Sequence, residues 1–349
     1  MELKNIKTTV IIPVISVNSN LTEQLEFLGD KNIQVILADG CENNELEKKI
    51  NQYQFKNIKY IYSGPDNTLS EYINKMHHAI NQVQTQFCMT LDQGDFLNLN
   101  TLEKCENLLN KQKVIKGING KIIQVKKTGS IFINPETKNY LNKTNDLISW
   151  QDLIEAKEYF HMWYALQELE TFKKSWNIIR NNELRHPLME YVPCFTILNT
   201  GYFYQLPDNF ILRIEKIKKD YKKPLNMFYP KESQNNVFEN FIEKSIDKKN
   251  LTLKPQIESF FRRNYNAINQ NYNCESENNY SKHKQIQSLS ICGKIFPKLK
   301  EFLVKRAPRM VFFSKLGVTL VLKNKKIKLR KKNKFLETFL GKEHKNEEM

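Results

Sequence analysis

An α/β fold, with a mostly parallel sheet flanked by helices, is predicted by three observations. Four short apolar or β-branched runs alternate with three segments of helical spacing over residues 8–110. The runs are nearly continuous in apolar character, as strands covered on both faces are. The fourth run, Phe87 to Leu91, stops abruptly at two acids, Asp92 and Asp95. They stand at a strand tip, the place where open α/β sheets bind ligands.

The elements follow in order. Thr8 to Ile15 is β-branched and apolar and reads as a buried first strand, with Pro13 near its end, where a lost ladder donor matters less. Leu21, Leu25 and Leu28 have helical spacing, closed near Gly29. Ile33 to Ala38 is a second strand that ends in Asp39-Gly40, and Asn43 to Tyr53 a helix. Ile58 to Tyr62 is a third strand, followed by the turn Ser63-Gly-Pro-Asp-Asn67.

The next helix is the best marked. Thr68 and Glu71 form a capping box, and Leu69, Tyr72, Ile73, Met76, Ile80 and Val83 repeat at helical spacing. After the fourth strand, Leu99 to Leu109 is helical again, and Lys121 to Lys126 pairs with Ser130 to Asn134 as a hairpin. Ser149 to about Asn182 is helical and aromatic, and Glu190 to Tyr204 is a mixed apolar segment. The chain therefore divides into an α/β domain over 1–215, a polar helical extension over 216–290, and a basic tail over 291–349.

Charge sharpens that division. Of the net +16, residues 291–334 contribute +14 and the last fifteen −2, which leaves +4 for residues 1–290. A near-neutral body argues against nucleic-acid binding by the fold itself. The tail mixes its cations with Leu299, Phe302, Val311, Phe312, Phe313 and Leu316. That composition suits an anionic membrane surface. Nucleic acid is disfavoured as its partner, because aromatic platforms do not alternate with the cations. No apolar run approaches the length of about 18 residues needed to span a bilayer, and the N-terminus does not read as a signal peptide. The expected location is the cytoplasm, peripheral to the inner face of the membrane. The six cysteines form no CxxC pair and read as small buried hydrophobes.

Two common nucleotide-binding devices are excluded. The loop after the first strand, Pro13-Val-Ile-Ser-Val-Asn18, holds no glycine. It is neither a dinucleotide-binding G-x-G-x-x-G turn nor a P-loop. Backbone amides are thus not the means of holding phosphate. Carboxylates at a strand tip suit Mg²⁺ or Mn²⁺ shared with substrate phosphates.

Val10-Ile-Ile-Pro13, Val35-Ile-Leu-Ala-Asp39-Gly40 and Asp92-Gln-Gly-Asp95-Phe96, in that order and spacing, resemble family 2 glycosyltransferases of the GT-A fold. The resemblance covers residues 8–110 well and thins toward 215. It implies an inverting transfer of a sugar from a nucleoside-diphosphate sugar to a hydroxyl of a glycan or lipid-linked acceptor. It places Pro13, Asp39, Lys75, Asp92 and Arg213 around the nucleotide sugar, and Asp92 and Asp95 on Mg²⁺ or Mn²⁺. The general base falls in the later part of the domain, where Glu190 is the first candidate and Glu183 the second. One departure is visible: Gly94 stands where a middle acid is usual. A second reading is a catalytically inactive GT-A-like scaffold in a membrane-associated assembly.

Overall fold

The computed structural model describes residues 7–17, 19–43, 45–128, 131–138, 145–156, 162–185, 188–215 and 235–266, and two short backbone strands further on. The basic stretch 291–334 lies almost wholly outside the described residues, so the membrane expectation finds no structural counterpart here. Among the described residues, no helix is long and apolar enough to cross a membrane.

The first half alternates as the sequence reads. It runs β1 (Thr8–Val14), α1 (Ser19–Leu28), β2 (Gln34–Asp39), α2 (Glu45–Tyr53), β3 (Ile58–Tyr62), α3 (Leu69–Asn81) and β4 (Phe87–Thr90). β1 lies between β2 and β4 with both pairings parallel, and β3 extends the sheet beyond β2, also parallel. This places every strand C-terminus of this half on one edge of the sheet. Val10, Ile11 and Ile12 of β1 are fully buried, the signature of a strand covered on both faces.

The capping box of α3 is formed. The Thr68 hydroxyl accepts from the Glu71 N–H at 3.2 Å, and the Glu71 carboxylate accepts from the Thr68 N–H at 2.7 Å.

The second half is more mixed than the sequence reading. After β5 (Phe96–Leu97) and α4 (Leu99–Lys111) come β6 (Ile115–Thr128), β7 (Ile131–Lys138), β8 (Leu147–Ile148), α5 (Trp150–Glu155), β9 (Leu166–Glu168), α6 (Leu169–Asn182), α7 (Leu188–Thr200) and β10 (Tyr202–Glu215). The main path of the sheet is β3-β2-β1-β4-β9-β6-β10-β5, with β7 on β6 and β8 on β10. β9 is antiparallel to both β4 and β6, while β6 and β10 run parallel. Short β9 therefore bridges two parallel blocks. At three residues it is too brief to show a periodicity of its own. The mixed segment from Glu190 resolves into a helix and a long strand, joined where Gly201 donates to the Ile197 carbonyl at 2.9 Å.

The polar extension is not detached from the core. α8 (Asn235–Ser245) and a helix over 254–266 bury Phe238, Phe241, Ile257, Phe260, Phe261 and Tyr265 in the same apolar cluster as the sheet. Phe261 meets Phe195 of α7 at a centroid distance of 4.8 Å and Trp150 at 6.3 Å. These rings fall at helical spacing within an otherwise polar sequence, and so form a one-sided apolar stripe that α7 covers. Cys41, Cys88, Cys105 and Cys194 are buried, and burial pushes the thiols of the last three well above the ordinary thiol range.

Candidate active site at the strand ends

Leu91 ends the apolar run of β4, donating its N–H to the Ile11 carbonyl at 3.0 Å. The chain then reverses within four residues, with the Asp95 N–H donating to the Asp92 carbonyl at 3.1 Å. The third residue of this turn, Gly94, has φ +84°. A positive φ at that position calls for glycine. A Cβ at residue 94 would also stand 2.9 Å from the Asn20 Cβ. The place that the resemblance gives to a middle acid is therefore one that this backbone holds for glycine.

Gln24 of α1, fully buried, fastens the turn. Its carboxamide accepts from the Gly94 N–H at 2.8 Å and donates to the carbonyls of Asp92 at 3.0 Å and Asp95 at 2.6 Å. The Gln93 side chain ties the same turn to the Ser16 carbonyl after β1. Sequence reasoning missed Gln24. The available signal was a glutamine on the apolar face of a helix, where an unpaired amide is costly. Gln24→Met keeps the volume and removes the polar partners. It is expected to cost about 1–3 kcal/mol through the stranded backbone groups, seen as a melting temperature several degrees lower. An unchanged melting temperature would exclude this clamp.

The carboxylates of the turn converge on one cation. Arg213, on β10, donates from Nε to Asp95 Oδ2 and from Nη2 to Asp92 Oδ2, each at 3.1 Å. Its guanidinium lies 4.5 Å from the centre of the Tyr164 ring, and the Tyr164 hydroxyl donates to Asp92 Oδ2 at 2.7 Å. The Asp95 side chain is 2% exposed, whereas Asp92 is 38% and Arg213 29% exposed. Burial works against the charge of Arg213, but Tyr164 and the two acids outweigh it and hold its pKa above the ordinary arginine value. Burial pushes the Tyr164 phenol well up, so it acts as a hydroxyl donor.

A second polar group lies at the ends of β1 and β2. Asp39 is fully buried, with Oδ1 accepting from the Cys41 N–H and Oδ2 from the Tyr60 hydroxyl, both at 2.9 Å. Pro13, partly buried, pairs in register with Ala38 one residue before it. Lys75, which the resemblance places around the nucleotide sugar, is turned into the protein here. Its side chain is 0% exposed, and Nζ donates to the Val14 carbonyl at 3.2 Å and to Asp66. Burial lowers its pKa and Asp66 opposes that shift. Lys75 thus fastens the 63–67 loop to the end of β1.

Comparison with known proteins places this arrangement in a fold. No family model matches the chain, and no curated protein matches it in sequence. Among solved structures it is similar to residues 1–349 of Staphylococcus aureus TarS in complex with UDP-GlcNAc. That match has a TM-score of 0.52 and 14% identity, over 75% of this chain and 73% of that one. It is also similar to GalNAc-T7 with UDP, GalNAc and Mn²⁺, with a TM-score of 0.50 and 12% identity, over 68% of this chain and 48% of that one. The chain has the GT-A glycosyltransferase fold.

Within the GT-A sheet the sequence candidates separate. Asp92, Asp95 and Arg213 come together at the end of β4. Glu190 lies in the first turn of α7, partly buried, and its charge acts on the Tyr72, Tyr164 and Tyr191 phenols. Since the Tyr164 hydroxyl is bonded to Asp92, Glu190 belongs to the same neighbourhood. Glu183 is the exposed left-handed residue that closes α6, with φ +46°. Tyr164 is buried and belongs to the acid cluster through its bond to Asp92.

The GT-A resemblance implies a divalent cation on Asp92 and Asp95. As arranged, the donor set does not fit one. Each acid directs an oxygen to Arg213, Asp95 is closed to solvent, and residue 94 brings no carboxylate. Among the described residues, no three His, Cys, Asp or Glu side chains gather as a metal site.

Proposed function

We propose that this protein transfers a sugar from a nucleoside-diphosphate sugar to a hydroxyl of a glycan or lipid-linked acceptor, with inversion. The observation that carries the reading is the meeting of Asp92, Asp95 and Arg213 at the strand ends of a GT-A sheet. The occupants of its structural neighbours support it: UDP-GlcNAc in TarS, and UDP and GalNAc in GalNAc-T7.

In this reading the acceptor oxygen bonds to the anomeric carbon as the bond from that carbon to the diphosphate oxygen breaks. The diphosphate departs with the electron pair. Glu190 takes the proton of the acceptor hydroxyl, the work of a carboxylate within hydrogen-bond reach. Arg213 is the fixed cation toward which negative charge develops. Gln24 and Tyr164 hold the acid turn and the guanidinium in place and are positioning residues.

One observation favours the second reading, an inactive scaffold: the acids are already neutralised in part by Arg213. Sugar-nucleotide hydrolysis separates the two. Incubation with a panel of UDP-, GDP- and ADP-sugars is expected to release nucleoside diphosphate slowly from one of them. The same nucleotide is expected to raise the melting temperature, because a ligand bound only by the native state stabilises it. No release and no thermal shift across the panel would leave the scaffold reading.

A further inference from the structure

We infer that Arg213, rather than a divalent cation, receives the diphosphate at this site, the phosphate displacing Asp92 from the guanidinium. The inference rests on the donor-site reading above and concerns how that site holds its charge.

Three observations lead to it. The turn that would supply metal ligands has lost one position to geometry: residue 94 has a left-handed backbone, with Asn20 filling the space where a side chain would begin. The two acids that remain both address one guanidinium. That guanidinium is held from behind by the Tyr164 ring at 4.5 Å, yet keeps 29% of its side chain exposed. An arginine fork matches carboxylate and phosphate alike. A site that orients one toward two carboxylates has the donors that a diphosphate needs.

Charge decides which acid gives way. Arg213, Asp92 and Asp95 together carry one net negative charge, so a diphosphate added beside all three would be repelled. Asp95 is 2% exposed and has no route to water. Without Arg213 it would be a buried charge lacking its cation, a costly state. Asp92 is 38% exposed and is rehydrated readily when it leaves the guanidinium. The phosphate therefore takes the Nη2 end of the fork while Asp95 keeps the Nε end. The roles predicted for Asp92 then have opposite signs. A metal ligand is needed for binding, whereas an internal competitor weakens it.

The experiment is calorimetric titration of the full chain with UDP, and with GDP and ADP if UDP gives no heat, in Mn²⁺ and in EDTA. Three proteins are compared: wild type, Asp92→Asn and Arg213→Lys. The expected result is binding within about twofold in the two buffers. Asp92→Asn should bind severalfold tighter. Arg213→Lys should bind about tenfold or more weaker, the usual effect of removing a charge-assisted hydrogen bond. Melting temperatures close to wild type would show that Arg213→Lys remains folded. Asp92→Asn carries the test if it does not. Binding only in Mn²⁺, abolished by Asp92→Asn, would overturn the inference and leave the donor site standing. No binding of any nucleoside diphosphate in either buffer would remove the donor site, and the inference with it.

Discussion

Glu190→Gln is expected to lower turnover about 10²–10⁴-fold, the usual contribution of a general base, with donor affinity nearly unchanged. The amide keeps the shape of the side chain at the start of α7 but cannot accept a proton. The reason to single out Glu190 is its setting. It is partly buried, and its charge acts on the Tyr72, Tyr164 and Tyr191 phenols, which burial pushes well up. Phenols that stay protonated near a carboxylate do not compete with it as bases. Steady-state release of nucleoside diphosphate, measured beside equilibrium donor titration, checks this. Equal losses in turnover and donor affinity would point to a binding residue instead. Full turnover would remove Glu190 from the mechanism.

Lys75→Met is expected to destabilise the fold by about 3–5 kcal/mol, because it leaves a buried carboxylate without its cation. That is a large share of the 5–15 kcal/mol or so by which a typical protein is stable. The Lys75 and Asp66 side chains are 0% and 1% exposed, and Nζ also supplies a donor to the Val14 carbonyl at 3.2 Å. The urea midpoint should fall markedly in the single variant. It should recover in part in Lys75→Met/Asp66→Asn, where no charge is left stranded. A wild-type midpoint for Lys75→Met would show that the pair does not support the fold.

Lys75 also shows where the sequence was legible and where it was not. Its helix was plain from the capping box and the apolar spacing, but its partner was not. Spacing along a helix places a residue on a face without saying what the rest of the chain brings to that face. Here the 63–67 loop brings Asp66, and Lys75 pairs with it inside the protein. The acid pair is the opposite case. Asp92 and Asp95 were conspicuous because an apolar strand rarely ends in two closely spaced acids without a cation nearby. Gln24 gave almost no signal, since its three hydrogen bonds reach backbone some seventy residues away.

The amino-acid sequence by itself determined the parallel half of the sheet, its alternating helices and the strand tip where charge collects. These follow from local patterns: apolar runs, helical spacing and caps, each set within a few residues. Only the tertiary structure decided what the acids face. Arg213 comes from β10, across the sheet path from β4 and far along the chain, so its fork on Asp92 and Asp95 exists only once β9, β6 and β10 have paired in order. The identity of the cation at this site is a matter of long-range strand register, and no local pattern encodes it.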